Sequence, residues 1–177
     1  MPDYRRNFIP GGTYFFTVTL LDRGTDTLVA HIESLRAAVR AVKSRYPFEI
    51  VAWVVLPDHL HCIWTLPAGD ADFPGRWRGI KQRFSKALPH GERRTPIREK
   101  RGERGIWQRR FWEHTIRDEH DLQAHVDYIH INPVKHRYVT RVADWPHSTF
   151  HRYVRDGIYP ADWAGDAVGD LEAGEAR

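Results

Sequence analysis

A chain of 177 residues, 41% apolar, is long enough for one sizeable core, and its single cysteine excludes an internal disulfide and a four-cysteine zinc site. The first ten residues lack the apolar segment of a signal peptide, and no run approaches the roughly 18 apolar residues of a membrane span, so a cytoplasmic protein without a membrane partner is expected. Net charge is only +4 but is segregated: residues 76–110 hold thirteen Lys/Arg against three acids, and residues 156–177 hold six acids against one arginine. With Trp77, Phe84 and Trp107 interleaved, the basic stretch suits a phosphate backbone and stacked bases.

In chain order, Gly11-Gly12 precedes a β-branched and aromatic run from Thr13 to Leu20, the first predicted strand. Residues 29–45 place Val29, Ile32, Leu35, Val39 and Val42 at helical spacing, and Pro47 ends that helix. Phe48 to Leu56 is almost wholly apolar, as in a central strand. Pro57-Asp58 turns the chain into a third strand over 59–66. A helix follows over 73–88, with Trp77, Ile80, Phe84 and Leu88 inward and Arg76, Lys81, Arg83 and Lys86 outward. Residues 89–106 lack periodicity and are expected to form a mobile loop that orders on DNA. Trp107 to Ile116 is the fourth strand. Asp118 caps a last helix over about 119–131, which Pro133 terminates. The first six elements follow the split βαβ plan: an α+β, ferredoxin-like domain over 1–164, with helices on one face of a central antiparallel sheet. The acidic, small-residue tail over 165–177 is expected to be disordered.

Two local patterns carry chemistry. Residues two apart on a strand share a face, so His59 and His61 project together while Leu60, Cys62 and Trp64 point to the core. Paired imidazoles hold divalent metals. On the last helix Leu122, Val126 and Ile129 form the core arc, and Asp121, His125, Tyr128 and Asn132 lie on the adjacent arc. Tyr128 is thus a candidate nucleophile for a phosphodiester, Asn132 a candidate oxygen ligand beside the histidine pair, and His125 a candidate to take or relay the phenolic proton.

Further motifs accompany these: Tyr4-Arg5-Arg6 with Gly11-Gly12-Thr13-Tyr14-Phe15; Leu56-Pro57-Asp58-His59-Leu60-His61; Trp107-Gln108-Arg109-Arg110-Phe111-Trp112; Ile116-Arg117-Asp118-Glu119; Tyr128-Ile129-His130-Ile131-Asn132-Pro133-Val134-Lys135-His136; and Asp144-Trp145-Pro146-His147-Ser148-Thr149. In this order, over about residues 4–164, the set resembles the REP-associated tyrosine transposases, a branch of the single-tyrosine HUH, IS200-like transposases. The resemblance implies metal ligands at His59 and His61 and a nucleophile at Tyr128. It also implies Mg²⁺ or Mn²⁺, and a substrate of single-stranded DNA carrying a hairpin. Related insertion-sequence enzymes carry a glutamine where this chain has Asn132. Two imidazoles suit Mn²⁺, Co²⁺ or Zn²⁺ better than Mg²⁺, which prefers oxygen.

Tyr4, Arg5, Arg6 and Asn7 are expected to read unpaired bases. Arg76, Arg78, Lys81, Arg83, Lys86, Arg109, Arg110 and Lys135 are expected to contact phosphates. The protein would act as a monomer or homodimer, on the nucleoid when bound. Rival readings are a rolling-circle-type nickase, a 2H phosphoesterase (which needs two H-x-[ST] motifs), and a hairpin-binding module whose catalysis has lapsed.

Overall fold

The computed structural model describes residues 6–165 and 173–174. Four strands, β1 (Thr13–Thr19), β2 (Glu49–Val55), β3 (His59–Thr65) and β4 (Trp112–Thr115), form one antiparallel sheet in the order β2-β3-β1-β4. This is the ferredoxin-like order, with the histidine strand central. Alternation divides the side chains between two cores. Tyr14, Phe16, Val18, Leu60, Cys62 and Trp64 face one side. Phe15, Ala52, Val54 and Ile63 face the other.

The first face is covered by two helices, α2 (Ile32–Arg45) and α3 (Phe73–Ala87). A four-residue helix α1 (Thr27–Ala30) precedes α2, and the helix is interrupted between them at His31. Trp64 and Trp77 stack at 4.3 Å between ring centroids and anchor α3 to the sheet. Each large side chain buried here contributes about 1.5–3 kcal/mol. Asp72 caps α3, its carboxylate accepting from the Gly75 amide at 2.8 Å.

The second face is covered by α5 (Glu119–Lys135). The expectation of helices on one face therefore holds for the six-element ferredoxin-like unit and fails for the chain, because the added helix takes the opposite face. Its entry cap is as expected: Asp118 accepts from the Asp121 amide at 2.8 Å. Its exit is not. Pro133 lies inside the helix instead of ending it. The end is set by a Schellman closure, with Arg137 N–H donating to Val134 O and Tyr138 N–H to Pro133 O. Arg137 takes the left-handed φ of 61° that such a closure requires. Glycine usually occupies this place, so an arginine gave no warning of it.

Two further expectations change. The fourth strand is confined to four residues. Leu20 and Trp107 form an isolated bridge, and Lys81 Nζ caps the intervening departure through Gln108 O at 2.9 Å. The 89–106 segment has structure of its own: a short helix α4 (Pro96–Lys100), with Arg104 bonded to Glu92, Leu88 O and Pro89 O. Beyond Asp144, residues 147–149 pair with the β2 edge, and α6 (Phe150–Arg155) joins the α5 core. No helix among the described residues is long and apolar enough to cross a membrane.

Candidate active site

His59 and His61 stand opposite Thr19 and Thr17 of β1, facing α5. Both are buried, and their ring centroids lie 5.1 Å apart. Each Nδ1 is held. Asp58 Oδ1 lies 2.6 Å from His59 Nδ1, and Arg23 donates to the other carboxylate oxygen at 2.8 Å. Thr17 Oγ1 lies 2.7 Å from His61 Nδ1 and donates its own proton to the Ala173 carbonyl. The hydroxyl therefore accepts from His61, which fixes the tautomer with the Nδ1 proton. Burial, reinforced by His61, holds the His59 imidazole down to about 4 against the pull of Asp58. With Nδ1 held in each ring, Nε2 is the atom left to face α5, and the His59 imidazole is neutral. His59 Nε2 is buried and has no hydrogen-bond partner among the described residues. This donor set fits a divalent metal of the Mn²⁺-to-Zn²⁺ type.

From the other side α5 brings Tyr128 to the pair, its ring 5.4 Å from His61 and edge-on to it. Asn132 is fully buried one turn further along the helix. The expected stripe is buried along its length, and Tyr128, only 3% exposed, packs against His61. Lys135 Nζ donates to the Tyr128 oxygen at 3.0 Å, and His136 packs 5.1 Å from His59. The sequence offered no signal for Thr17 or Arg23, and His136 stood in it only as the last residue of the Tyr128 motif. In the sequence pattern Asp58 stands only as half of a turn.

His125 is buried, not solvated. Its Nδ1 donates to the Asp121 carbonyl at 2.8 Å, and its ring stacks on His114. His114, Asp121 and His125 converge within 4.8 Å, a spacing compatible with a metal. The Asp121 carboxylate, however, already takes His114 Nε2 at 2.9 Å and the Arg117 amide at 2.9 Å, with Arg117 Nε at 3.3 Å. It also lies at the positive end of α5, where anions are favoured and cations are not. Burial alone would raise its pKa, but these donors outweigh it and hold the group down to about 2. The cluster is an anion hub that pins β4 to α5, and it commits His125 Nδ1 to Asp121.

Besides Lys135, the described residues expected at the DNA separate into three groups. Arg6, Arg78, Lys81, Lys86 and Arg109 line a groove of about 800 Å³ against Trp77, Trp107 and Phe111, on the α3 side of β4. Arg6 sits 4.2 Å over the Phe111 ring. Burial, and then Arg6, lowers the Lys81 ammonium to about 8. Arg83, Arg110 and Asn7 are exposed, and Asn7 donates to Thr115. Arg76 is a correction: it is 2% exposed, turned inward onto Asp70 at 2.6 Å and onto the Tyr46, Pro47 and Asp72 carbonyls. The loop carbonyls before β2 and α3 converge where only a buried guanidinium can serve them, so Arg76 has no path to a phosphate. Tyr4 and Arg5 lie outside the described residues, as does most of the 165–177 tail; Ala173 within it is buried.

Residues 23–132 match the family described as Transposase IS200 like. The chain belongs to that family. It is 55% identical over 175 residues to the REP-associated tyrosine transposase of Escherichia coli strain K12, covering 99% of this chain and 98% of that one. A relative from Haemophilus influenzae is 49% identical over 167 residues, 94% of this chain and 95% of that one. The solved structure of a REP-associated tyrosine transposase bound to a REP hairpin superposes with a TM-score of 0.86 at 54% identity, covering 100% of this chain and 99% of that one. The matched span of this IS200-like transposase opens at Arg23, which holds Asp58, and closes at Asn132. It thus contains the histidine pair and Tyr128 and leaves Lys135 outside.

Proposed function

We propose that this protein is a metal-dependent, single-stranded DNA endonuclease and strand transferase that engages hairpin DNA and works through a 5′-phosphotyrosine at Tyr128. The observation that carries the reading is the packing of the Tyr128 ring 5.4 Å from His61, which brings a hydroxyl nucleophile to two preset imidazole ligands. The hairpin bound to the solved relative supports the substrate class. His59 and His61 would hold the metal, with Asn132 supplying an amide oxygen. When bound, the metal would withdraw charge from the scissile phosphate.

The chain's own residues do the rest. Asp58 and Thr17 orient the imidazoles. Helix α5 aims the Tyr128 oxygen at the phosphorus. As the Tyr128 O–P bond forms, the bond to the 3′-oxygen breaks. The phenolic proton leaves, and the 3′-oxygen is released as a hydroxyl. The phosphotyrosine keeps the energy of the diester, so the strand can be rejoined or passed to another 3′-hydroxyl. The basic, aromatic groove beside β4 takes the flanking strand and the hairpin phosphates. His125 is assigned to holding Asp121, since its Nδ1 is committed there.

The test is incubation of hairpin-bearing single-stranded DNA with the protein and Mn²⁺ or Mg²⁺, followed by a denaturing gel. A covalent adduct is expected with the wild type and none with Tyr128→Phe, which retains DNA binding. An adduct of equal yield with Tyr128→Phe would overturn the reading.

A further inference from the structure

Lys135 follows Tyr128 by seven residues. At 100° per residue the two fall about 20° apart on α5, roughly 10 Å along its axis. Helical side chains lean toward the N-terminus, so the lysine stem runs back over Asn132 toward the tyrosine. Its ammonium arrives 3.0 Å from the Tyr128 oxygen and 4.5 Å from the ring centroid. The cation therefore sits over the ring at its oxygen-bearing end. This meeting depends on α5 continuing through Pro133 to its closure at Arg137. A helix stopped before Pro133 would take Lys135 off the stripe.

We infer that Lys135 is a catalytic residue: it donates a hydrogen bond to the Tyr128 oxygen and stabilises the negative charge that this atom carries both when it attacks phosphorus and when it leaves. The inference rests on the reading of Tyr128 as nucleophile. In cleavage the Tyr128 O–P bond forms while the bond from phosphorus to the 3′-oxygen breaks; the phenolic proton passes to water, and the departing 3′-oxygen takes one up from water to become a hydroxyl. In rejoining a 3′-hydroxyl attacks the phosphotyrosine, gives up its proton, and expels the Tyr128 phenolate. Charge collects on the same oxygen in both directions, so one preset donor serves both. A charged donor is roughly twice as strong as a neutral one, and a preset donor gains most where charge develops.

The competing role is a phosphate contact, which strengthens binding of substrate and transition state alike and leaves the rate at saturating DNA unchanged. The two roles separate in single-turnover measurements on the full-length protein, with a hairpin-bearing oligonucleotide, Mn²⁺ and saturating DNA. Lys135→Met is expected to slow adduct formation and rejoining by about 100-fold, as loss of one preset donor does elsewhere. DNA affinity should stay close to wild type, and Lys135→Arg should recover most of the rate. Replacing Tyr128 with a difluorotyrosine supplies a readout that packing would not move. Its phenolate is a better leaving group, so rejoining should lose much less from Lys135→Met in that background.

Weakened affinity with unchanged saturated rates would make Lys135 a phosphate contact and overturn the inference. Equal rejoining defects with tyrosine and difluorotyrosine would overturn it too. Tyr128→Phe separates this failure from that of the underlying reading. If its adduct persists, the nucleophile is elsewhere; if the adduct vanishes while Lys135→Met matches wild type, only the lysine's role falls.

Discussion

Asp58 decides how His59 is presented, and its removal gives a graded test of the proposed metal site. The carboxylate is 5% exposed and is held at both oxygens, by His59 Nδ1 at 2.6 Å and by Arg23 Nε at 2.8 Å. Asp58→Ala deletes both bonds and frees the imidazole to change tautomer. Loss of such a carboxylate behind a metal-binding histidine costs about 10–100-fold in affinity, or about 1.4–2.8 kcal/mol. Asp58→Asn discriminates between orientation and charge. Its amide oxygen still accepts from Nδ1–H, so the ring stays oriented. The bond becomes a neutral one of about half the strength, and the amide N–H₂ meets Arg23 donor to donor. A loss of about 1 kcal/mol, near fivefold, is expected for this variant. Calorimetric titration of Mn²⁺ into the three proteins, beside their thermal melts, gives the order wild type, Asn, Ala. Wild-type affinity in Asp58→Ala, with only its melting temperature lowered, would show that Asp58 serves the turn and not the ligand, and the reasoning would fail.

Neutralising Arg78, Lys86 and Arg109 together should reduce the slope of log K against log salt by about 2–3, near 0.7–0.9 for each phosphate left without its cation; an unchanged slope would place DNA outside the groove. Arg76→Met should leave that slope intact and instead lower stability by about 3 kcal/mol in urea, because the buried guanidinium's ion pair with half-buried Asp70 and its hydrogen bonds to three carbonyls go with it. Burial, with Arg152 and His151 nearby, holds His130 down to about 3 from 6.5. The unfolded chain therefore takes the proton first on acidification. The stabilisation is complete above pH 6.5 and drains away as pH falls toward 3, with an upper bound of about 5 kcal/mol. His130→Phe should flatten the fall in unfolding free energy across that window, and an equally steep fall would clear His130.

The histidine strand was legible because a period of two needs only neighbouring residues: once Leu60, Cys62 and Trp64 are core, His59 and His61 must share the opposite face. The stripe on α5 was legible in the same way, from a period of 3.6. Partners drawn from elsewhere in the chain were not. Thr17 meets His61 only through the β1–β3 register, and Arg23 reaches Asp58 from the middle of the β1–α1 loop. Arg76 looked like its basic neighbours because its place on α3 is set by carbonyls some thirty residues earlier.

Pro133 is the most instructive departure, since a local rule was outweighed by tertiary structure. A proline inside a helix forfeits one hydrogen bond and strains the preceding turn, at about 3 kcal/mol. Asn132 before it is also pushed away from helical geometry. Against this, Asn132 and Pro133 are both buried, and the closure at Arg137 satisfies the carbonyls of Pro133 and Val134. Ending the helix early would lose that burial and leave those carbonyls without donors. It would also remove Lys135 from the Tyr128 oxygen. The turn after Asn132 is therefore a place where local propensity and the geometry of the site pull in opposite directions, and the site's geometry is the one realised.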